Sequence, residues 1–274
     1  MQLNFILITK ENAEGFKGVL PDDMISTNVR FSLGAYDDSG NVLGAVSYTV
    51  IEYQYEVDWL YVEPKVRRQK IGTELMDRVI AAASETMEIF PISVHYTCTG
   101  EDDPLHCFFM FYGKMDVNYS HERYLIRSGD IPLAPILHKK LKMRHDRKLF
   151  FEEPENTRKR ILEMLRKDEN YVIEDYELWE KTCEKELCQC IYVGNSLMDA
   201  IFIQKNPDGS LELSFLYSRY PEGLLSLITS VAEEIEVKYP GHDLTFDAIN
   251  TQSESIAKKL FPKAESQPVF EAEW

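Results

Sequence analysis

The sequence predicts an α/β (α+β) protein built on mixed sheets and arranged as two domains. Three observations carry that prediction. A length of 274 residues exceeds one small domain and suits two of ordinary size. Short apolar runs of period two alternate with longer runs of period near 3.6. From its first helix onward, the second half repeats the element order of the first.

The elements follow in chain order. Residues 4–9 are a short, mostly apolar run, read as a strand. Residues 11–24 read as a helical region interrupted by Gly15, Gly18 and Pro21. Residues 30–36 read as a strand, and "DDSGN" is a strong turn. Residues 42–53 are rich in β-branched and aromatic side chains and return as a hairpin strand; residues 55–62 add a third. At Ile71 the period changes. Ile71, Leu75, Met76, Val79, Ile80 and Ala83 recur at helical spacing, and Pro91 closes the helix. Residues 92–98 are a strand, 105–112 a short apolar helix opened by Pro104, and 118–126 a further strand. The first domain is placed at 1–129.

Residues 130–148 carry two prolines and the basic run "HKKLKMRHDRK", and read as a solvated linker. The second domain, 149–274, holds a helix at 158–166, strands at 186–193, 197–204 and 211–217, a helix at 224–237, a strand at 244–249 and a helix at 254–260. The turn before its long helix, "SRYPEGL", lacks the cations and extended loop of its counterpart at 63–71.

Composition narrows the partners. A net charge of −16 argues against a nucleic-acid backbone or an anionic membrane as the main partner, because both need a basic face. No stretch approaches the roughly 18 apolar residues of a membrane span. The opening "MQLNFILITKEN" has no basic stretch ahead of its short apolar run, so no secretory signal is expected. Five cysteines, without framework spacing, suit a reducing cytoplasm. Cys188 and Cys190 stand without further ligands at usual spacing, so no metal is expected.

The stretch "VEPKVRRQKIGTEL", residues 62–75, is the chemically pointed one. It places Arg67, Arg68 and Lys70 just before a helix start, where unpaired N–H groups and the helix dipole favour anions. Gly72 lets a ligand approach the backbone. The pattern is neither a P-loop nor a dinucleotide fingerprint.

In its wider context, "EVDWLYVEPKVRRQKIGTELMDRVI" resembles the acetyl-CoA-binding region of the GNAT superfamily of N-acetyltransferases. The family signature, Gln/Arg-x-x-Gly-x-Gly/Ala, matches Arg67-x-x-Lys70-x-Gly72, with Lys70 standing where the first glycine belongs. Leu60, Val62 and Pro64 fit the lead-in, and the element order fits over residues 1–127. The second half resembles the same fold with a degenerate cofactor loop, so the chain resembles two tandem GNAT folds.

The resemblance implies acetyl-CoA as co-substrate and direct transfer to a primary amine of a small molecule or peptide. It implies that Leu60, Tyr61 and Val62 hold the pantetheine. Arg67, Arg68, Gln69, Lys70, Ile71, Gly72 and Thr73 would hold the pyrophosphate. "FFMFYGKM" places Tyr112 at the family's general-acid tyrosine, although Asp116 and Val117 replace the usual Gly and Phe, and Leu105 an Asn often seen earlier. For the general base, Glu56 is the first candidate and Asp58 the second. Strand alternation puts Glu56, Asp58, Leu60 and Val62 on one face. His95 and His106 are bases by type alone. A non-catalytic CoA-binding or interaction module of the same fold is the alternative. Either a monomer or a homodimer is compatible with a tandem chain.

Overall fold

The computed structural model describes residues 2–51, 54–85, 90–133, 147–166, 180–194, 196–206 and 209–274. The chain forms two compact units, Met1–Ser120 with Pro268–Trp274, and His121–Gln267.

The first unit opens with an antiparallel meander of β1 (Asn4–Leu7), β2 (Arg30–Tyr36), β3 (Val42–Ile51) and β4 (Gln54–Val62). Helix α1 (Ile71–Ser84) then crosses over to β5 (Ile92–Thr97), which lies parallel to β4. Helix α2 (Pro104–Tyr112) leads into β6 (Asp116–Ile126). The predicted apolar stripe is what α1 buries. Ile71, Leu75, Met76, Val79 and Ala83 pack with Val46, Tyr48, Val57, Ile92, Val94 and Phe109. Asp103 caps α2 by accepting from the amides of Leu105 and His106, and Gly113, at φ 73°, ends it.

The segment 11–24, expected to be helical, forms only two short 3-10 turns, Ala13–Phe16 and Asp22–Met24. Gly15, Gly18 and Pro21 leave no run long enough to repay helix nucleation. Phe16, Val19 and Leu20 still bury, with Ile8, Ala45 and Trp59, on the sheet face opposite α1.

The second unit repeats the plan. Strands β7 (Arg147–Leu149), β8 (Gln189–Val193), β9 (Ser196–Lys205) and β10 (Leu211–Ser218) run antiparallel, with α3 (Glu155–Arg166) after β7. Helix α4 (Pro221–Lys238) crosses to β11 (Leu244–Ala248), parallel to β10, and α5 (Thr251–Leu260) follows. The later residues of β6 pair with β11, from Glu122↔Ala248 to Ile126↔Leu244. Leu227, Ile228, Val231 and Ile235 of α4 pack on Ile201, Ile203, Leu211 and Phe246.

Two features differ from the sequence reading. A last strand, β12 (Glu265–Glu273), pairs antiparallel with β5, from Val269↔Thr97 to Glu273↔Ser93. It thereby crosses the contiguous boundary drawn at 130–148. Most of that stretch, 134–146, lies outside the described residues, while Arg147 and Lys148 belong to β7. The second difference is in β4. Its register against β3 shifts, so Ser47 faces Trp59 while Tyr48 faces Val57, and Asp58 is the extra, bulged residue. The bulge breaks the alternation read from the sequence. Val57, Leu60 and Val62 share the α1 face, and Trp59 and Tyr61 the other. Glu56, on the side away from Val57, is therefore not on the face of Leu60 and Val62.

Candidate active site

Beyond the bulge, β4 and β5 part. Their parallel pairing runs only over Tyr55↔Ile92 and Glu56↔Ser93. Past that point the facing edges open into a wedge whose backbone groups are available to an extended ligand. A groove of about 1030 Å³ lies at its mouth. Leu60, Tyr61 and Val62 line it from β4, Arg67 to Thr73 (without Gln69) from the loop and the start of α1, and Asp103 to Tyr112 along α2. The sequence-predicted cofactor residues thus converge on one groove, except Gln69, which is exposed outside the lining.

The loop has a shape that suits an anion. Arg68 (φ 63°) and Lys70 (φ 65°) are the only non-glycine residues with positive φ among the described residues. Alternating hand along a short loop turns successive N–H groups to one side, forming an anion-binding nest. Lys70 is the N-cap of α1, with φ 65° and ψ 9°, and provides no side-chain cap. The amides of Ile71, Gly72 and Thr73 therefore open to the groove without a capping oxygen from residue 70. The position where the signature has glycine is thus a left-handed one, and lysine occupies it at a cost of about 1–2 kcal/mol. Gly72 has a packing role as well: a Cβ there would sit 3.2 Å from Cε2 of Phe108 on α2. Arg67 folds back, its Nε donating to the Val62 carbonyl at 3.0 Å, with its guanidinium 5.9 Å above the Tyr61 ring. The opposite wall is apolar at Phe108 and Phe111, the latter 87 % exposed. A ligand with a polyanionic part and an extended, partly apolar arm fits this lining.

Tyr112 lines the groove, with its ring stacked on Phe108 at 5.3 Å. Its hydroxyl donates to Asp77 Oδ1 of α1, which Lys114 also contacts at 2.8 Å. Burial, then the Asp77 carboxylate, push the Tyr112 hydroxyl well above the usual tyrosine range. For Asp77, burial works upward, but the hydrogen bonds from Lys114 and Tyr112 outweigh it and hold the carboxyl low.

On the other face of the sheet, Asp58 and Glu56 have different surroundings. Asp58 accepts from Thr49 Oγ1 at 2.5 Å and faces Arg30 at 3.4 Å. Burial raises its pKa against those two partners. Glu56 lies 3.7 Å from Nδ1 of His95, and Nε2 of His95 lies 3.0 Å from Glu271 of β12. This grouping was missed in the sequence because Glu271 arrives from the far end of the chain. His106 is on the α-helical face, 3.1 Å from the Tyr96 hydroxyl. Among the described residues no group of three or more His, Cys, Asp and Glu side chains could hold a metal ion. No described helix is long and apolar enough to cross a membrane.

In the second unit, α4 follows β10 as α1 follows β4, yet its first turn is already occupied. Asp199, fully buried on β9, accepts from the amide of Tyr220 at 3.1 Å and from Ser218 Oγ at 2.7 Å. Its other oxygen lies 2.2 Å from where a Cβ on Gly223 would stand. A carboxylate of the chain itself therefore sits at the helix start that would otherwise receive an anion.

Comparison with known proteins agrees with this geometry. Residues 30–109 match the family model of the acetyltransferase (GNAT) domain. No curated protein matches the chain in sequence. Among solved structures, a tandem GNAT protein from the clavulanic acid biosynthesis pathway is similar at 12 % identity and TM-score 0.63, over 99 % of this chain and 98 % of its own. A glucosamine N-acetyltransferase region of a fungal multi-domain β-N-acetylglucosaminidase aligns at 11 % identity and TM-score 0.69, covering all of this chain and 38 % of that one. A GCN5-related N-acetyltransferase from Kribbella flavida aligns at 11 % identity and TM-score 0.54, over 98 % and 71 % of the two chains. At such identities the structural likeness speaks for the fold, and the family match speaks for residues 30–109. The chain thus has the fold of a tandem GNAT protein, and residues 30–109 of its first unit match the acetyltransferase (GNAT) domain.

Proposed function

We propose that the chain is an N-acetyltransferase that uses acetyl-CoA to acetylate a primary amine of a small molecule or peptide. One observation carries this reading: the β4–β5 wedge opens directly beside an uncapped, cation-lined helix start. The amides of residues 67–73 and the cations of Arg68 and Lys70 would hold the pyrophosphate. The free edge of Leu60 to Val62 would hold the pantetheine arm by strand-like hydrogen bonds. Acetyl-CoA supplies the acetyl thioester. On this reading Tyr112, at the groove's far wall, is the proton donor to the departing sulfur, with Asp77 keeping the hydroxyl protonated until it is needed. Of the two strand carboxylates, Glu56 is the better placed to meet an ammonium. Asp58 is engaged by Thr49 and Arg30, whereas Glu56 is part-exposed beside the wedge. No nucleic acid or membrane enters the proposal, nor a resident metal, and a cytoplasmic location belongs to it.

Titration calorimetry with acetyl-CoA tests the binding half, with one site per chain expected. Release of CoA thiol in the presence of amines tests the chemical half. Tyr112→Phe is expected to lower kcat at least tenfold, with acetyl-CoA affinity little changed. Unchanged kcat would remove Tyr112 from the mechanism. Acetyl-CoA binding without turnover on any amine would favour a CoA-binding module instead.

A further inference from the structure

The cluster of Glu56, His95 and Glu271 holds three titratable groups from three strands at one point of the sheet. That point is set by the register. The β4–β5 ladder closes at Glu56↔Ser93, and His95 is the next residue of β5 on that face. His95 therefore stands at the apex of the wedge, where an arm laid between the strands must end. Its neighbours Val94 and Tyr96 point to the α1 side, so the imidazole faces away from the cofactor groove.

The ring's two nitrogens differ. Nε2 is within hydrogen-bond range of Glu271, at 3.0 Å, and the two residues are register partners in the β5–β12 ladder. Nδ1 is 3.7 Å from Glu56, too far for a direct hydrogen bond. With Nε2–H donating to Glu271, the Nδ1 lone pair faces the Glu56 carboxylate across the opening. An ammonium at Glu56 would have an acceptor nitrogen beside it. Among the other described charged residues of that face, Asp58 is turned to Thr49 and Arg30, while Glu273, paired with Ser93, adds a further carboxylate two residues along β12 from Glu271.

We propose that His95 is the base that deprotonates the acceptor amine, with Glu271 fixing the imidazole and Glu56 seating the incoming ammonium. This rests on the N-acetyltransferase reading above. The ammonium proton passes to Nδ1, and the freed nitrogen lone pair forms the C–N bond to the acetyl carbonyl. The C–S bond breaks, the sulfur takes the Tyr112 proton, the second proton of the attacking nitrogen leaves through solvent to restore Tyr112, and His95 returns its proton to solvent. The acceptor is thus an amine that arrives charged, not an alcohol or a thiol. The carboxylates also match the ring to this task. The nearby carboxylates of Glu56 and Glu271 hold the imidazole above its usual range, against the opposing effect of burial. That shift brings it closer to an alkyl amine and shortens the uphill proton transfer.

The test uses the full chain and four named amines: 1,4-diaminobutane, glucosamine, Nα-acetyl-lysine and an alanine-initiated peptide. CoA release is followed from pH 5.5 to 9.5 for wild type, His95→Gln, Glu56→Gln and Glu271→Gln, with acetyl-CoA affinity measured in parallel. The wild-type kcat/KM is expected to rise with pH as the imidazole becomes neutral. His95→Gln is expected to lose that limb and about 100-fold or more in kcat/KM, with acetyl-CoA affinity unchanged. Glu56→Gln and Glu271→Gln keep the base but remove a group that favours its charged form, so the limb moves to lower pH. A structural role for these side chains would not move it. Turnover by His95→Gln within about threefold of wild type, or with the same limb, overturns the assignment alone. If wild type acetylates none of the amines, the underlying reading falls, and this inference with it.

Discussion

Replacing Lys70 with glycine separates two effects that this position combines. The backbone at Lys70 is left-handed, φ 65° and ψ 9°, a conformation that costs an L-residue about 1–2 kcal/mol and glycine almost nothing. Part of the relief is lost because glycine frees the unfolded chain by about 0.4–1 kcal/mol. Lys70→Gly should therefore stabilise the first unit by about 0.5–1 kcal/mol, or about 1–4 °C in Tm for a unit of this size. Binding should move the other way. The substitution deletes one exposed cation from the groove wall, and solvent screening limits such a contact to about 0.5–1 kcal/mol. That corresponds to a Kd roughly two- to fivefold weaker. Differential scanning calorimetry and acetyl-CoA titration on the same preparation read both quantities. A fall in Tm would refute the strain argument. Tighter acetyl-CoA binding would refute the charge argument and show that the Cβ of Lys70 crowds the ligand.

Two further predictions concern the second unit. Asp199→Ala should destabilise it by about 2 kcal/mol, since the amide of Tyr220 and the hydroxyl of Ser218 lose a buried acceptor. Inorganic pyrophosphate should restore part of that loss in a thermal melt and have no such effect on the wild-type unit; a loss that pyrophosphate leaves unrelieved would show that the helix start cannot take an anion. Asp247 is gripped by Arg123 through two hydrogen bonds of 2.6 Å and lies 3.4 Å from His121. Burial works upward on its carboxyl, but these partners outweigh it and hold the pKa at about 2. A pKa depressed in the folded state contributes stability above the unfolded value, near 3.9, and loses it as pH falls through about 2. The pair should thus contribute about 2 kcal/mol at neutral pH. Urea unfolding of Asp247→Asn should show that loss at pH 7 and a flatter pH dependence between about 4 and 2. Parallel curves for wild type and variant would contradict it.

Much of this was legible in residue order, for identifiable reasons. β2 and α1 announce themselves because their apolar residues keep one period, and β4 because it is a run of aromatic and β-branched residues. The cation-rich loop was legible because Arg67, Arg68, Lys70 and Gly72 stand together in sequence, before a helix that could be seen. What remained hidden depends on pairing. The bulge at Asp58 exists only in the register of β4 against β3, so the strand's alternation assigned Glu56 and Asp58 to the wrong face. β12 carries Pro268 and alternates short apolar with acidic residues, giving no run to recognise, and its partner is distant. Asp199 is the one acidic residue of a mostly apolar strand, and its role shows only beside Gly223.

The placement of β12 has a consequence for how the protein is made. β5 forms one wall of the wedge, and its other edge is covered by residues 269–273. A ribosome adding about 5–20 residues per second delivers every other element of the first unit long before that strand. During the interval β5 presents an unpaired edge, the kind of surface that recruits strands from other chains. Closing the ladder late also carries the loop-closure entropy of a very long connection, which slows the step. A nascent chain can thus hold the entire matched acetyltransferase segment, residues 30–109, and still lack Glu271 beside His95. Newly made molecules should become competent in a distinct late phase, and chaperones that shield strand edges should shorten the list of casualties before it.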